Sequence, residues 1–368
     1  MRVLQIHDCV SINSGVIAVI MNWYRNIDRE KIQFDFLVSY ASKASYTEEI
    51  QKLGGRVFAM SEQLSLHVQG LPRLFANVKN FMKVHAHEYD AVHLHTTTFS
   101  YPYLYYAKKY GIKVRFCHAH SIDLGNTRLS SLRNRLMILP LKATANHFLA
   151  CSREAGEKNY YPLGIKDFSV VLNGVDFSRY DMDEDNRQQT RQMLGVGEKT
   201  RLFSHISNMA PIKNVPFVVR VFAQIAETDP DSKLLLVGRK ELPPEVQRQI
   251  QAHGLEDKII HLGVRSDVPQ LLAASDVCLM PSKTEGLGLV AVESQLAGTP
   301  VITSPGFPDE VYATELAVRA EPDSRLWACL ALAQKRKAPG SCRDALKRFD
   351  ISCIAAQISD YYKTAGDN

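Results

Sequence analysis

In Val277-Cys278-Leu279-Met280-Pro281-Ser282-Lys283-Thr284-Glu285-Gly286-Leu287-Gly288-Leu289-Val290-Ala291-Val292-Glu293, four β-prone residues run through an acidic, glycine-bearing loop into a helical pattern. Strand, loop and helix in that order make the repeating unit of a parallel sheet with crossover helices. The unit recurs along the chain. Val3–Ile6, Phe34–Val38, Val57–Met60, Ala91–Leu94, Val114–Cys117 and Phe148–Ala150 read as strands of a first sheet. After the turn-type cluster Asn173-Gly174-Val175-Asp176, a second series follows at Leu202–Ile206, Leu234–Val237, Ile259–Leu262, Val277–Met280 and Val301–Thr303. The expected fold class is therefore α/β, with two doubly wound units, residues 1–170 and 171–350. The polar stretch Asp181 to Lys199 is expected to hold a short helix on the second unit. Ile351, Ile354, Ala355, Ile358, Tyr361 and Tyr362 fall at helical spacing, an amphipathic terminal helix that needs a domain to cover.

A chain of 368 residues suits two domains of ~100–200 residues each. With 45% hydrophobic and 23% charged residues, disorder, collagen and coiled coil are excluded. Lysine plus arginine (44) against aspartate plus glutamate (39) gives +5, an excess without the dense basic blocks of a nucleic-acid binder, so no nucleic-acid partner is expected. The seven cysteines are scattered and never form a C-x-x-C pair, which argues against a disulfide framework or a zinc site and for the reducing cytoplasm. The apolar run at the start is shorter than a signal-peptide core, and no stretch approaches ~20 continuous apolar residues. The protein is expected to be cytoplasmic, either soluble or peripherally attached at the inner face of the plasma membrane.

An open parallel sheet binds ligands outside the carboxyl ends of its strands. There Gly286 and Gly288 let backbone N–H groups approach a ligand, and the start of the following helix favours a phosphate. Carboxylates bind sugar and ribose hydroxyls, so the segment suits a sugar nucleotide; the plainer reading makes Glu285 a first-turn helix acid and Glu293 a surface residue. Beyond the last strand, the loop Ser304 to Glu310 brings two further carboxylates, Asp309 and Glu310, of which Glu310 is the candidate.

The glutamates eight positions apart resemble the E-x7-E signature of retaining glycosyltransferases of the GT-B fold, family 4. The likeness extends over nearly the whole chain: Asn13-Ser14-Gly15-Val16, Met21 to Arg25, Asp28 to Phe36, Asn173 to Asp176, Leu271 to Val277 and Ala297 to Val301 are similar to segments of bacterial enzymes that build exopolysaccharide and capsule. The resemblance implies two facing Rossmann-like domains, a terminal helix (351–368) crossing back to the first, an acceptor-side N-terminal domain and a nucleotide-sugar-binding C-terminal domain. It implies transfer of a hexosyl-type unit from a nucleotide diphosphate sugar, with uracil the expected base, to a sugar or lipid-linked glycan acceptor, with no metal or other cofactor. The base would rest on backbone groups near Gly263 to Ser266. In the family a G-R-x4-K loop neutralises the diphosphate; here Lys213 matches, while Ser207 stands for the glycine and Asn208 for the arginine. The implied donor site comprises Gly15, Asn208, Lys213, Glu285, Gly286, Leu287, Gly288 and Glu293, with Lys213 and Glu285 also catalytic. Gly15 matches the second glycine of a Gly-Gly loop whose first is replaced by Ser14, and Asn13 or Ser14 also suits a helix N-cap.

His118-Ala119-His120-Ser121 resembles the family's HSHN segment, with His120 the preferred catalytic and acceptor-side residue and His118 the alternative. A competing reading is a metal site, because His93, His95, His118 and His120 form two H-x-H pairs on strands expected to be neighbours, and alternate residues share a face. Between Arg128 and Lys142, bulky apolar and basic residues mix at helical spacing. They suit an interfacial helix on an anionic membrane, or a core-facing helix with a cationic solvent side. The uncharged Asn208 also leaves room for other classes: a catalytically silent nucleotide-sugar-binding accessory protein, or an epimerase or phosphorylase of the same fold.

Overall fold

The computed structural model describes residues 1–12, 14–62, 70–121 and 128–366, and the chain divides into two units, Met1–Gly174 with Ile351–Asn368, and Val175–Asp350. The first unit holds seven parallel strands: β1 (Arg2–His7), β2 (Gln33–Val38), β3 (Val57–Ala59), β4 (Ala91–Leu94), β5 (Val114–Ala119), β6 (His147–Ala150) and β7 (Ser169–Val170), in the order β3-β2-β1-β4-β5-β6-β7. The second holds β8 (Leu202–Ile206), β9 (Lys233–Val237), β10 (Ile259–Gly263), β11 (Val277–Met280), β12 (Val301–Thr303) and β13 (Ala317–Arg319), in the order β10-β9-β8-β11-β12-β13. Each is a Rossmann-like α/β unit. The central strands are buried on both sides because crossover helices cover both faces.

Helix ends follow local chemistry. The Gly15–Asn26 helix is capped by Ser14, whose hydroxyl accepts from the Ile17 N–H at 3.4 Å, and it buries Ile17, Ile20, Met21 and Tyr24 at three- and four-residue spacing; Asn13, the other cap candidate, lies outside the described residues. The polar Asp181–Lys199 stretch holds the Glu184–Met193 helix, closed by a reciprocal capping box between Asp183 and Asn186. Arg187 and Arg191 then pair with Asp276 at 2.7 and 3.3 Å, fastening that helix to the residue that precedes β11.

The terminal helix, Ile351–Gly366, buries Ile354, Ala355, Ile358 and Tyr362 and packs on the Gly15–Asn26 helix of the first unit. The second unit has its own core, in which Trp327 meets Phe217 edge-on at 5.2 Å above Phe203, Phe222 and Leu279. β7 and β13, two and three residues long at sheet edges, are absent from the sequence reading. Among the described residues no helix is long and apolar enough to cross a membrane.

Candidate functional site

In each sheet chain order reverses at one place, between β8 and β11 in the second unit and between β1 and β4 in the first. Such a switch point parts the loops at the carboxyl ends of the strands and opens a crevice there.

In the second unit the residues singled out from sequence flank that crevice. Lys213 ends the short Pro211–Lys213 helical turn after β8, Glu285 lies in the loop after β11, and Nζ meets Oε1 at 2.6 Å. The two side chains are 19% and 9% exposed. Backbone bonds hold the loops in register: the Lys283 N–H donates to the Ile212 carbonyl at 2.9 Å, and the Glu285 N–H to that of Gly306 at 2.9 Å. A Cβ on Gly306 would lie 2.2 Å from the Lys283 carbonyl oxygen, so the third loop closes only on glycine. Gly288 takes φ +82° at the start of the Leu289–Leu296 helix, against the Phe307 ring. Gly286, Leu287 and Gly288 thus bring the positive end of that helix beside the Lys213–Glu285 pair.

Asn208 and Ser207 are engaged in shaping their own loop. The Asn208 Oδ1 accepts from the Ala210 N–H at 3.1 Å, and the Ser207 Oγ accepts from the Met209 N–H at 3.0 Å. Beneath them lies buried His205, which the sequence reading missed: Nδ1 donates to the Leu279 carbonyl at 2.7 Å, and Nε2 therefore accepts from the Ser207 hydroxyl at 2.7 Å. Burial lowers its pKa to about 4, keeping the ring neutral and the loop anchored. Glu293 is half-buried one turn into the helix, and burial raises its pKa while the Tyr180 hydroxyl donates to it. Tyr180 was also missed, and no spacing rule connects it to Glu293. Glu310 is half-buried in the Asp309–Val311 turn, and its carbonyl takes a hydrogen bond from Arg348 at 2.6 Å. In the Gly263 to Ser266 segment, Arg265 pairs with Asp267 at 2.6 Å and the Ser266 carbonyl accepts from Arg179 at 2.8 Å.

In the first unit Gly15 begins the helix after β1, and a Cβ there would meet nothing within 4 Å. The two histidine pairs come together on β4 and β5. Gln5 Nε2 donates to the Tyr362 hydroxyl at 3.0 Å, that hydroxyl lies 2.6 Å from His93 Nδ1, and His93 Nε2 lies 3.2 Å from His118 Nδ1. On its other side Gln5 Oε1 is 2.7 Å from His95 Nε2, whose Nδ1 lies 2.9 Å from His120 Nε2. Trp23 stacks on His93 and His118 at 5.9 and 5.6 Å. With the amide so placed, His95 donates to Gln5 and accepts from His120, which gives those two rings a defined neutral tautomer. Burial holds His93, His95 and His118 well below the usual imidazole range and His120 down to about 3. His118 is fully buried whereas His120, just past the strand end, is half-buried. His93, His95 and His118 offer nitrogens within 4.8 Å of one another, a ligand type that zinc accepts.

Residues 13–179 match the family described as Glycosyltransferase Family 4, and residues 186–317 that described as Glycosyl transferases group 1. A protein of Bacillus subtilis (strain 168) that carries the name glycosyltransferase EpsF is 30% identical over 327 residues, 85% of this chain and 83% of that one. The Escherichia coli UDP-Gal:alpha-D-GlcNAc-diphosphoundecaprenol alpha-1,3-galactosyltransferase is 28% identical over 227 residues, 59% of this chain and 58% of that one. Among solved structures, Anabaena Alr3699/HepE in complex with UDP and glucose superposes with a TM-score of 0.80 at 22% identity, covering 99% of this chain and 100% of the other. WaaG, a glycosyltransferase involved in lipopolysaccharide biosynthesis, gives 0.72 at 16%, with 99% and 98% covered.

Proposed function

The chain belongs to the family 4 glycosyltransferases of the GT-B fold, and from that premise we propose a metal-independent, retaining hexosyl transfer from a UDP-sugar to a sugar or lipid-linked glycan acceptor. The product would enter a bacterial surface polysaccharide, of exopolysaccharide or capsule type, made in the cytoplasm. The observation that carries this reading is the Lys213–Glu285 pair at the switch point, beside the Gly288-capped helix start. Lys213 and the backbone N–H groups of the helix start would take the charge that grows on the diphosphate as the glycosidic bond breaks, the kind of preorganised stabilisation that dominates such reactions. Glu285 would hold the Lys213 ammonium in place and accept from a donor-sugar hydroxyl, and Glu293 would accept from the ribose. The second unit would thus carry the donor. In the first unit, Gly15 would let backbone approach the diphosphate and His120 would meet the reacting sugar. Neutral, with Nε2–H given to His95, its Nδ1 would accept from a sugar hydroxyl. The name of the Escherichia coli relative supports a lipid-linked acceptor, and the UDP in the HepE complex supports the base.

A panel of nucleotide sugars tests this, with nucleotide release followed at each donor and the anomeric configuration of the product read by NMR. One UDP-sugar should be consumed, with its configuration kept and with no effect of EDTA. An inverted product, an enzyme silenced by EDTA and rescued by a divalent cation, or a changed sugar still joined to its nucleotide would each overturn the proposal. Tight binding without turnover would assign the chain to the silent accessory class.

A further inference from the structure

Four helices of the first unit, Leu71–His85, Ser100–Lys109, Arg128–Ile138 and Leu141–Thr144, carry nine lysines and arginines and no aspartate or glutamate. Acidic residues are nearly as common as basic ones in the chain as a whole, 39 against 44, so their absence here is a segregation of charge. The Ser100–Lys109 helix packs on each of the other three, which makes them one layer. Right-handed crossovers place that layer on the opposite face of the sheet from the Gly15–Asn26 helix.

The same layer exposes apolar side chains. On the Arg128–Ile138 helix the inward residues are Asn134 and Ile138, 6% and 4% exposed, while Leu132, Leu136 and, just past the helix end, Leu139 are 58%, 57% and 62% exposed. The core-facing alternative therefore fails for these three leucines, which follow i, i+4, i+7 spacing as an outward stripe; side chains at 128–131 lie outside the described residues. A chain of tyrosine rings, Tyr101, Tyr105, Tyr106 and Tyr110, runs along the neighbouring helix with centroids 5.4, 5.2 and 6.3 Å apart, and Tyr105 is 37% exposed. Leucines for the acyl boundary, tyrosines for the headgroup level and cations for phosphates are the three ingredients of an interfacial surface.

We infer that this layer docks the protein on an anionic phospholipid bilayer, with Leu132, Leu136 and Leu139 seated at the acyl boundary and Arg135, Lys79, Lys83 and Lys109 on headgroup phosphates. Charge complementarity selects this occupant: a layer of one sign around an apolar stripe matches a surface that is anionic outside and apolar beneath. The placement also serves access. The Arg128–Ile138 helix packs on the Thr97–Phe99 turn after β4, at the carboxyl end of the sheet where His120 emerges. A docked bilayer would therefore lie at the end of the first unit where a lipid-linked acceptor would be met. The surface stands independently of the sugar-transfer reading, because binding to vesicles needs no donor.

Vesicle co-sedimentation of the full chain tests it, using phosphatidylglycerol–phosphatidylcholine vesicles beside pure phosphatidylcholine. The parent should bind the anionic vesicles, release at high salt, and leave the neutral ones. Leu132→Ser/Leu136→Ser/Leu139→Ser should weaken partitioning by at least ~10-fold, the loss expected for exposing leucine surface. Lys79→Glu/Lys83→Glu/Lys109→Glu should weaken it by at least as much at low salt. Both variants should keep the parental far-UV circular dichroism and cooperative melt, which shows them folded. Equal binding to neutral vesicles, no binding to either kind, or parental binding by both variants overturns the inference. So does self-association of the parent, seen by analytical ultracentrifugation and abolished in the leucine variant, since the stripe would then belong to a second copy.

Discussion

Lys213 and Glu285 satisfy each other when no diphosphate is present, and that gives their replacement two separable consequences. Lys213→Ala removes the cation proposed to face the leaving group, and loss of one such preorganised donor is expected to lower the turnover rate by ~10²–10³-fold. It also leaves Glu285 mostly buried and unpaired, so unfolding stability should fall by about 1–2 kcal/mol, between the worth of exposed and fully buried pairs. Nucleotide release and denaturant titration measure the two, and parental turnover in either Lys213→Ala or Glu285→Ala would remove the pair from the donor site. Asn208→Arg works in the opposite direction. The arginine would add a second charge beside the diphosphate and tighten nucleoside diphosphate binding by ~1 kcal/mol, the margin of charged over neutral hydrogen bonds. It gives up the turn bond to Ala210, and calorimetry at two salt concentrations decides: unchanged or weaker affinity means position 208 faces away from the phosphates. Lys213, Glu285 and Gly288 could be singled out because each lies in a contiguous strand–loop–helix segment that resembles a family motif. His205 and Tyr180 could not, since their partners, Leu279 and Glu293, reach them only through strand pairing and helix docking.

Strands β4 and β5 place four imidazoles against Trp23, an arrangement whose stability depends on all four staying neutral. Their pKa values in the folded chain are lowered, His120 to about 3, whereas in the unfolded chain they return to about 6.5. The sign follows directly: above about pH 6.5 neither state takes a proton and the stability is fully present. As pH falls through that value the unfolded chain gains protons that the native one refuses, and stability drains away toward the folded values. The first unit, with four such rings, should therefore lose its structure at higher pH than the second, which buries His205. Trp23 reports the first unit and Trp327 the second, so fluorescence of a Trp327→Phe variant on acidification isolates the β4–β5 region. A signal flat between about pH 6.5 and 4 would show the rings to be charged or solvated. The two H-x-H pairs announced that the rings would share a face. Nothing in the spacing told that Gln5 and Tyr362 would polarise them, because those residues arrive from the two ends of the chain.

The chain leaves the first unit at Gly174 and returns at Ile351, so one unit is discontinuous in sequence and the other is not. Its alternation of strands and helices made two Rossmann-like units legible, while the seat of the terminal helix came only from family resemblance, because an amphipathic stripe does not name its partner. In the structure that stripe inserts Tyr362 among Phe34, His93 and Phe116, at 5.8, 5.7 and 5.4 Å, so the first unit lacks part of its core without it. The second unit is closed where the chain enters and leaves: Val175 bridges to Asp350, and its N–H donates to the Phe349 carbonyl at 2.7 Å. Its core is its own, and Lys213, Glu285, Gly288 and Glu293 all belong to this unit. A fragment of residues 175–350 should therefore fold cooperatively and bind uridine diphosphate within ~10-fold of the full chain, a loss of no more than about 1.4 kcal/mol. Residues 1–174 alone should fail to give a cooperative melt, and should recover one when residues 351–368 are joined back through a flexible linker. Calorimetric titration of the 175–350 fragment is the deciding measurement: a folded fragment with no affinity for the diphosphate would mean that the first unit supplies indispensable contacts, with Gly15 the first residue to substitute.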